Sequence, residues 1–195
     1  MKTSFKPLAF FVFLSVFPLT VQAHLVGGNG FTSGLFHPLL GLDHLLAILA
    51  VGIISAKIGG RAAFIIPTAF VSVMAIGGIL AIAGIGLPAV ETGIALSVLF
   101  FGVLIALSKS PSLKTAIAFV ALFALFHGHA HGEEMPVIAS PVLYAIGFIA
   151  STAILHFSGA LIGHYAKKTV FRANLLRFSG AAMSATGLLF LAWIF

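Results

Sequence analysis

The sequence predicts an all-α membrane protein: a polytopic bundle of six transmembrane helices behind a cleavable signal peptide. Three observations carry that prediction. The 195-residue chain is 61% hydrophobic and only 7% charged, whereas a globular surface is rich in charge. Beyond residue 30, apolar runs long enough for a hydrocarbon core of about 30 Å recur between short polar or Gly/Pro-marked breaks. The basic residues gather in alternate breaks, as the positive-inside rule requires.

Taken in order, the chain opens with Lys2 and Lys6 as a positive n-region, Leu8 to Leu19 as a short apolar stretch interrupted by Pro18, and Val21-Gln22-Ala23 as a small-residue cleavage site. This divides it into a signal peptide, 1–23, and a membrane domain, 24–195. Cleavage would expose His24, whose α-amine and imidazole together can chelate a metal. The expected spans are 33–56, 62–84, 88–107, 113–131, 141–165 and 174–194. Their connections are short enough to predict sequential antiparallel neighbours, with no soluble domain. Small residues four apart, such as Gly128/Gly132, Gly147/Ser151 and Gly159/Gly163, let helices approach closely.

Orientation follows from charge. The first, third and fifth connections carry or border Lys57, Arg61, Lys109, Lys114, Lys167, Lys168 and Arg172, with Arg177 just inside the last span. The second and fourth carry no Lys or Arg. This places the basic connections in the cytoplasm and both mature termini in the periplasm of a bacterial inner membrane. The formal net charge of +6 therefore reads as topology, and nucleic acid is not an expected partner; the bilayer is. With no cysteine, disulfides, thiolate metal sites, iron–sulfur clusters and cysteine nucleophiles are excluded.

Chemistry is concentrated in two stretches, His37-Pro38-Leu39-Leu40-Gly41-Leu42-Asp43-His44 and Phe126-His127-Gly128-His129-Ala130-His131-Gly132-Glu133-Glu134. Together they hold five of the eight histidines and three of the four acidic residues. Ionisable groups inside apolar spans are costly and mark ion or proton paths. Imidazole with carboxylate suits a borderline divalent cation such as nickel, cobalt or zinc. On a regular helix His37 and His44 share a face about 10 Å apart, too far to hold one ion but suited to successive stations. Asp43 and His44 could pinch an ion only if the backbone is locally irregular, for which Pro38 and Gly41 give scope. His127 and His131 stand at chelating i, i+4 spacing. His129 points elsewhere, and Glu133 and Glu134 lie at the mouth. Glu91 begins its span on the same outer side, and His156 is a candidate inner station.

The two stretches, His37-Pro38-x-x-Gly41-x-Asp43-His44 and Phe126-His127-Gly128-x-Ala130-His131-Gly132-x-Glu134, resemble the two signatures of the HupE/UreJ family of nickel/cobalt permeases. The resemblance runs the length of the chain and implies non-ATP uptake of Ni²⁺ or Co²⁺ as transported substrate. It also implies no permanently bound cofactor and, in many members, a link to hydrogenase or urease maturation. Ile48 stands where the family commonly has methionine, and His129 falls at a variable position. No phosphate-cradling GxxxxGK[ST] loop is present. The rival reading is a membrane haem protein or zinc enzyme built on the same histidines. Three histidines within five residues beside two glutamates suit a small ion better than a porphyrin, and a zinc hydrolase needs a substrate cleft. The metal preferred, the coupling and the oligomeric state are not set by these motifs.

Overall fold

A computed structural model describes residues 30–135 and 140–195; the signal peptide and His24 lie outside the described residues. Among the described residues seven helices follow one another: α1 Gly30–Leu40, α2 Leu42–Ile58, α3 Ala62–Ile82, α4 Val90–Ala106, α5 Leu113–Glu133, α6 Pro141–Ala166 and α7 Val170–Ile194. There is no strand among the described residues. Four of them, α3, α5, α6 and α7, are long and apolar enough to cross a membrane, and α1 with α2 makes a fifth crossing if the bent pair is one span. The chain is a multi-pass, all-helical membrane protein. Helix α4 has 17 residues, a rise of about 26 Å against a core of about 30 Å.

The first predicted span is not one straight helix. Gly41 takes an extended conformation (φ −92°, ψ 115°) between α1 and α2, and the two axes meet at 82°. The break has a local cause. Pro38, inside α1, lacks an N–H, and Gly41 offers no side chain to hold the turn. Asp43 then accepts the backbone N–H of His44 at 2.8 Å, satisfying one of the orphan donors at the start of α2. Other ends use ordinary devices: Ser112 caps α5 by accepting from Thr115 N–H and Thr169 caps α7 by accepting from Arg172 N–H. Pro141 opens α6 at a position where its missing N–H costs nothing.

Packing departs from the expected sequential order. The most extensive pairings are α3 with α5, α4 with α7, and both α1 and α2 with α6. Glycine explains the choice, because the helices that touch most are those whose glycines let backbones meet. A Cβ on Gly128 would run into the Met74 carbonyl and one on Gly77 into that of Leu125, fastening α3 to α5. Likewise Gly52 lies against the His156 carbonyl and Gly159 against that of Leu49, fastening α2 to α6. Gly102 and Gly180 do the same between α4 and α7. Short loops fix which ends are joined, but not which faces pair.

The basic residues collect at one end. Lys167 donates to the carbonyl of Ala56 at 2.9 Å, Lys57 to Ser108 Oγ at 3.2 Å and Arg177 to the carbonyl of Ala106 at 3.1 Å. They tie together the ends of α2, α4, α6 and α7. The two histidine motifs occupy the opposite half of the bundle, with a core of Ile48, Val51, Phe70, Val98, Phe101 and Val120 between.

Candidate metal path

The bend at Gly41 changes what the first motif does. A straight helix would keep His37 and His44 a full 10 Å apart along one face. In the folded chain both rings instead close on His131, His37 with its centroid 4.7 Å away and His44 at 4.1 Å. His127, one turn earlier on α5, lies 4.7 Å from His44 on the other side. The order His37–His131–His44–His127 is therefore a continuous ladder of imidazoles running into the bundle. All four are buried. His37 and His44, expected as stations spaced along one helix face, each meet His131 of the second motif.

At the outer end His37 Nε2 is 3.1 Å from Glu134 Oε2. His37, His131 and Glu134 each present a ligand atom, and these three lie within 4.8 Å of one another. That spacing is wider than a bound divalent ion requires, and a modest inward movement of the Glu134 side chain, which is more than half exposed, would close it. Glu134 sits just past the end of α5, and the hydrogen bond from His37 holds its carboxyl below the ordinary value of 4.5.

Deeper in, hydrogen bonds decide which ring nitrogens can ligate. Ser97 Oγ donates its one proton to the Ile94 carbonyl at 2.7 Å. Its 2.8 Å contact with His127 Nε2 must then be donated by the ring, which leaves the lone pair on His127 Nδ1. The Asp43 carboxylate accepts from His44 Nδ1–H at 2.8 Å, which leaves the lone pair on His44 Nε2. Both freed nitrogens are buried without a protein partner, as are both nitrogens of His131. A carboxylate or hydroxyl that fixes the tautomer of an imidazole is the usual outer shell of a metal ligand. Asp43 thus orients His44, and its other side lines a cleft of about 190 Å³ shared with Glu91 and Trp193. Glu91 thus lines the same cleft as Asp43.

His129 is not part of the ladder. It is buried, and its Nε2 donates to the Ile85 carbonyl at 3.0 Å while its Nδ1 lies 3.7 Å from Glu133. This fastens α5 to the connection between α3 and α4. His156 is also buried, in α6, with its ring 5.2 Å from Phe70. Ser97 is not among the candidate residues that the sequence offers. The available signal was a hydroxyl inside an apolar helix, which must find a partner when buried. His131 also borders an almost wholly apolar cleft of about 240 Å³ lined by Met74, Met135, Tyr144 and Phe148. That cleft holds no carboxylate and no second histidine.

Residues 12–190 match the family model described as HupE / UreJ protein. Protein HupE of Rhizobium leguminosarum bv. viciae is 47% identical over 143 residues, which is 73% of this chain and 75% of that protein. No solved structure matches the chain at a significant level.

Proposed function

Because the chain belongs to the HupE/UreJ family, we propose that it is a permease carrying Ni²⁺, or Co²⁺, inward across the bacterial inner membrane without ATP. The single observation that carries this reading is the ladder of four buried imidazoles, its ring contacts 4.7, 4.1 and 4.7 Å apart. The exposed carboxylate of Glu134, with Glu91 and Asp43 lining a nearby cleft, draws a cation to the mouth and offsets part of its 2+ charge. His37, His131 and Glu134 receive it; His44 Nε2 and His127 Nδ1 pass it inward as neutral donors. No two neighbouring stations are far enough apart for the ion to lose all its ligands at once, as conduction through successive sites requires. Moving a divalent ion down 100 mV releases about 4.6 kcal/mol, twice the unit-charge value.

The topology that goes with this is six crossings, with α1 and α2 together forming the first and α4 the third. The end bearing Lys57, Lys167 and Arg177 faces the cytoplasm, and both mature termini face the periplasm. The broken first crossing fits the general pattern in which irregular backbone at membrane depth lines a path. Delivery of the metal to hydrogenase or urease maturation is the corresponding cellular role. The ring packing counts against the haem alternative. A porphyrin has to stand between its two axial imidazoles, and rings in contact at 4.1 Å leave it no room.

Purified protein in liposomes tests the proposal. An inside-negative potassium diffusion potential should drive ⁶³Ni²⁺ inward, and cobalt should compete. Liposomes with correctly inserted protein and no influx above the empty-vesicle rate would reject it.

A further inference from the structure

Helix α6 lines the bundle beyond the ladder, and its buried face continues the sequence of polar groups. Phe148 meets His131 with ring centroids 4.4 Å apart. One turn on lies Thr152, wholly buried, and one turn further His156, 3% exposed. Eight residues from Phe148 to His156 carry the path about 12 Å deeper, and the His156 backbone there packs on Gly52 of α2. Thr152 Oγ1 and both ring nitrogens of His156 are buried without any protein partner. Packing histidines and threonines ordinarily find a hydrogen bond. Three orphaned atoms on adjacent turns of one helix face, in line with the ladder, are the pattern of groups meant to meet something else.

Phe70 touches both the ladder and these groups. The Phe70 ring lies 6.0 Å from His127 and 5.2 Å from His156, meeting the latter edge to face at 88°. It is fully buried. We infer that Thr152 and His156 form a second, inner station for the transported divalent ion, partitioned from the outer histidines by the Phe70 ring. The inference rests on the permease reading and deepens it. Unlike the outer cluster, this station has no carboxylate among its groups. Neutral nitrogen and hydroxyl donors hold a divalent cation more weakly than a site that includes Asp43 and Glu134. The ion therefore steps from a charged site to a neutral one, and a weaker last site favours release. The Phe70 ring keeps water from bridging the two while it is in place; its rotation passes the ion.

The absence of cysteine from the chain supplies the test. His156→Cys and Thr152→Cys each introduce a single thiol, and a thiolate bound to Co²⁺ gives a charge-transfer band in the near ultraviolet that imidazole and carboxylate ligands lack. Purified protein in detergent, titrated with Co²⁺, should show that band in both variants. It should not appear in Phe157→Cys, whose side chain faces outward beside His156. His156→Ala should keep the visible cobalt spectrum of the outer histidines yet lose at least about tenfold in nickel influx. No thiolate band in either variant with the outer spectrum intact, or wild-type influx in His156→Ala, would overturn the inner station while leaving the permease standing. A wild-type protein with no cobalt spectrum at all would sink the permease reading and the station with it.

Discussion

The first motif lies on a helix broken by 82° at Gly41, whereas the second lies on an uninterrupted helix, α5, of 21 residues. Both bring histidines and a carboxylate to the path, but by opposite means. On α5 the regular i, i+4 spacing sets His127 and His131 one turn apart, and His44 meets both. The broken backbone of α1 and α2 folds His37 and His44 around His131, so that rings from the irregular element fill the gaps left by the regular one. A straight helix makes a row of evenly spaced ligands; only a bend interleaves a second row with it.

The comparison can be broken first at its hinge point, His131, which touches both His37 and His44. His131→Ala should reduce nickel influx by more than the ~10–100-fold that outer-shell changes cost a metal site, with protein still in the membrane. Influx within a few-fold of wild type would mean the rings are not the path. Next, a side chain at Gly41 would meet Asp43 Oδ1 at 2.9 Å and His44 Nδ1 at 3.0 Å. Gly41→Val should therefore push apart the Asp43–His44 pair and cost uptake about tenfold or more, on the same outer-shell scale. The His127–Ser97 bond on the straight helix should survive, and normal uptake would show that the break is incidental.

Ser97 sharpens the same contrast from the other side. Ser97→Ala removes the acceptor that fixes the tautomer of His127, an effect of roughly tenfold in metal affinity, whereas Ser97→Thr keeps the hydroxyl and should restore it. Equal loss in both variants would mark Ser97 as a packing residue. The hydrogen bond from His37 holds Glu134 below its ordinary 4.5, so Glu134 stays ionised above that pH and its contribution disappears only as pH falls through its lowered value. A protonated imidazole cannot ligate. Influx measured between pH 7 and 5 should fall as external pH drops below about 6, and stimulation by acid would indicate proton symport instead. The smallest effect belongs to His129→Ala, which frees the Ile85 carbonyl and should cost about 1 kcal/mol of stability with influx nearly unchanged. Loss as large as in His131→Ala would place His129 on the path.

Much of this site was legible in the sequence because its signals are compositional. Asp43 and five histidines in apolar surroundings stand out whatever the fold, and alternate basic loops gave an end to the bundle that Lys57, Lys167 and Arg177 share in three dimensions. Gly41 and Pro38 announced an irregularity, but neither its angle nor its consequence, since a bend acts on residues distant in sequence. The pairing of α3 with α5 and of α2 with α6 depends on which glycine faces meet, such as Gly77 with the backbone of Leu125. That too is a long-range choice. Ser97 and Phe70 were silent because serine and phenylalanine are ordinary in an apolar helix. Only their neighbours give them a role.

The most direct test of the central claim is accumulation of radiolabelled nickel by nickel-starved cells expressing the wild-type chain or Asp43→Ala, with cobalt and zinc as competitors. Asp43 accepts from His44 Nδ1–H at the meeting point of the two motifs. Accumulation by the wild type, competed by cobalt and lost in the variant although the protein reaches the membrane, is the predicted result. Accumulation by Asp43→Ala at the wild-type rate would contradict it.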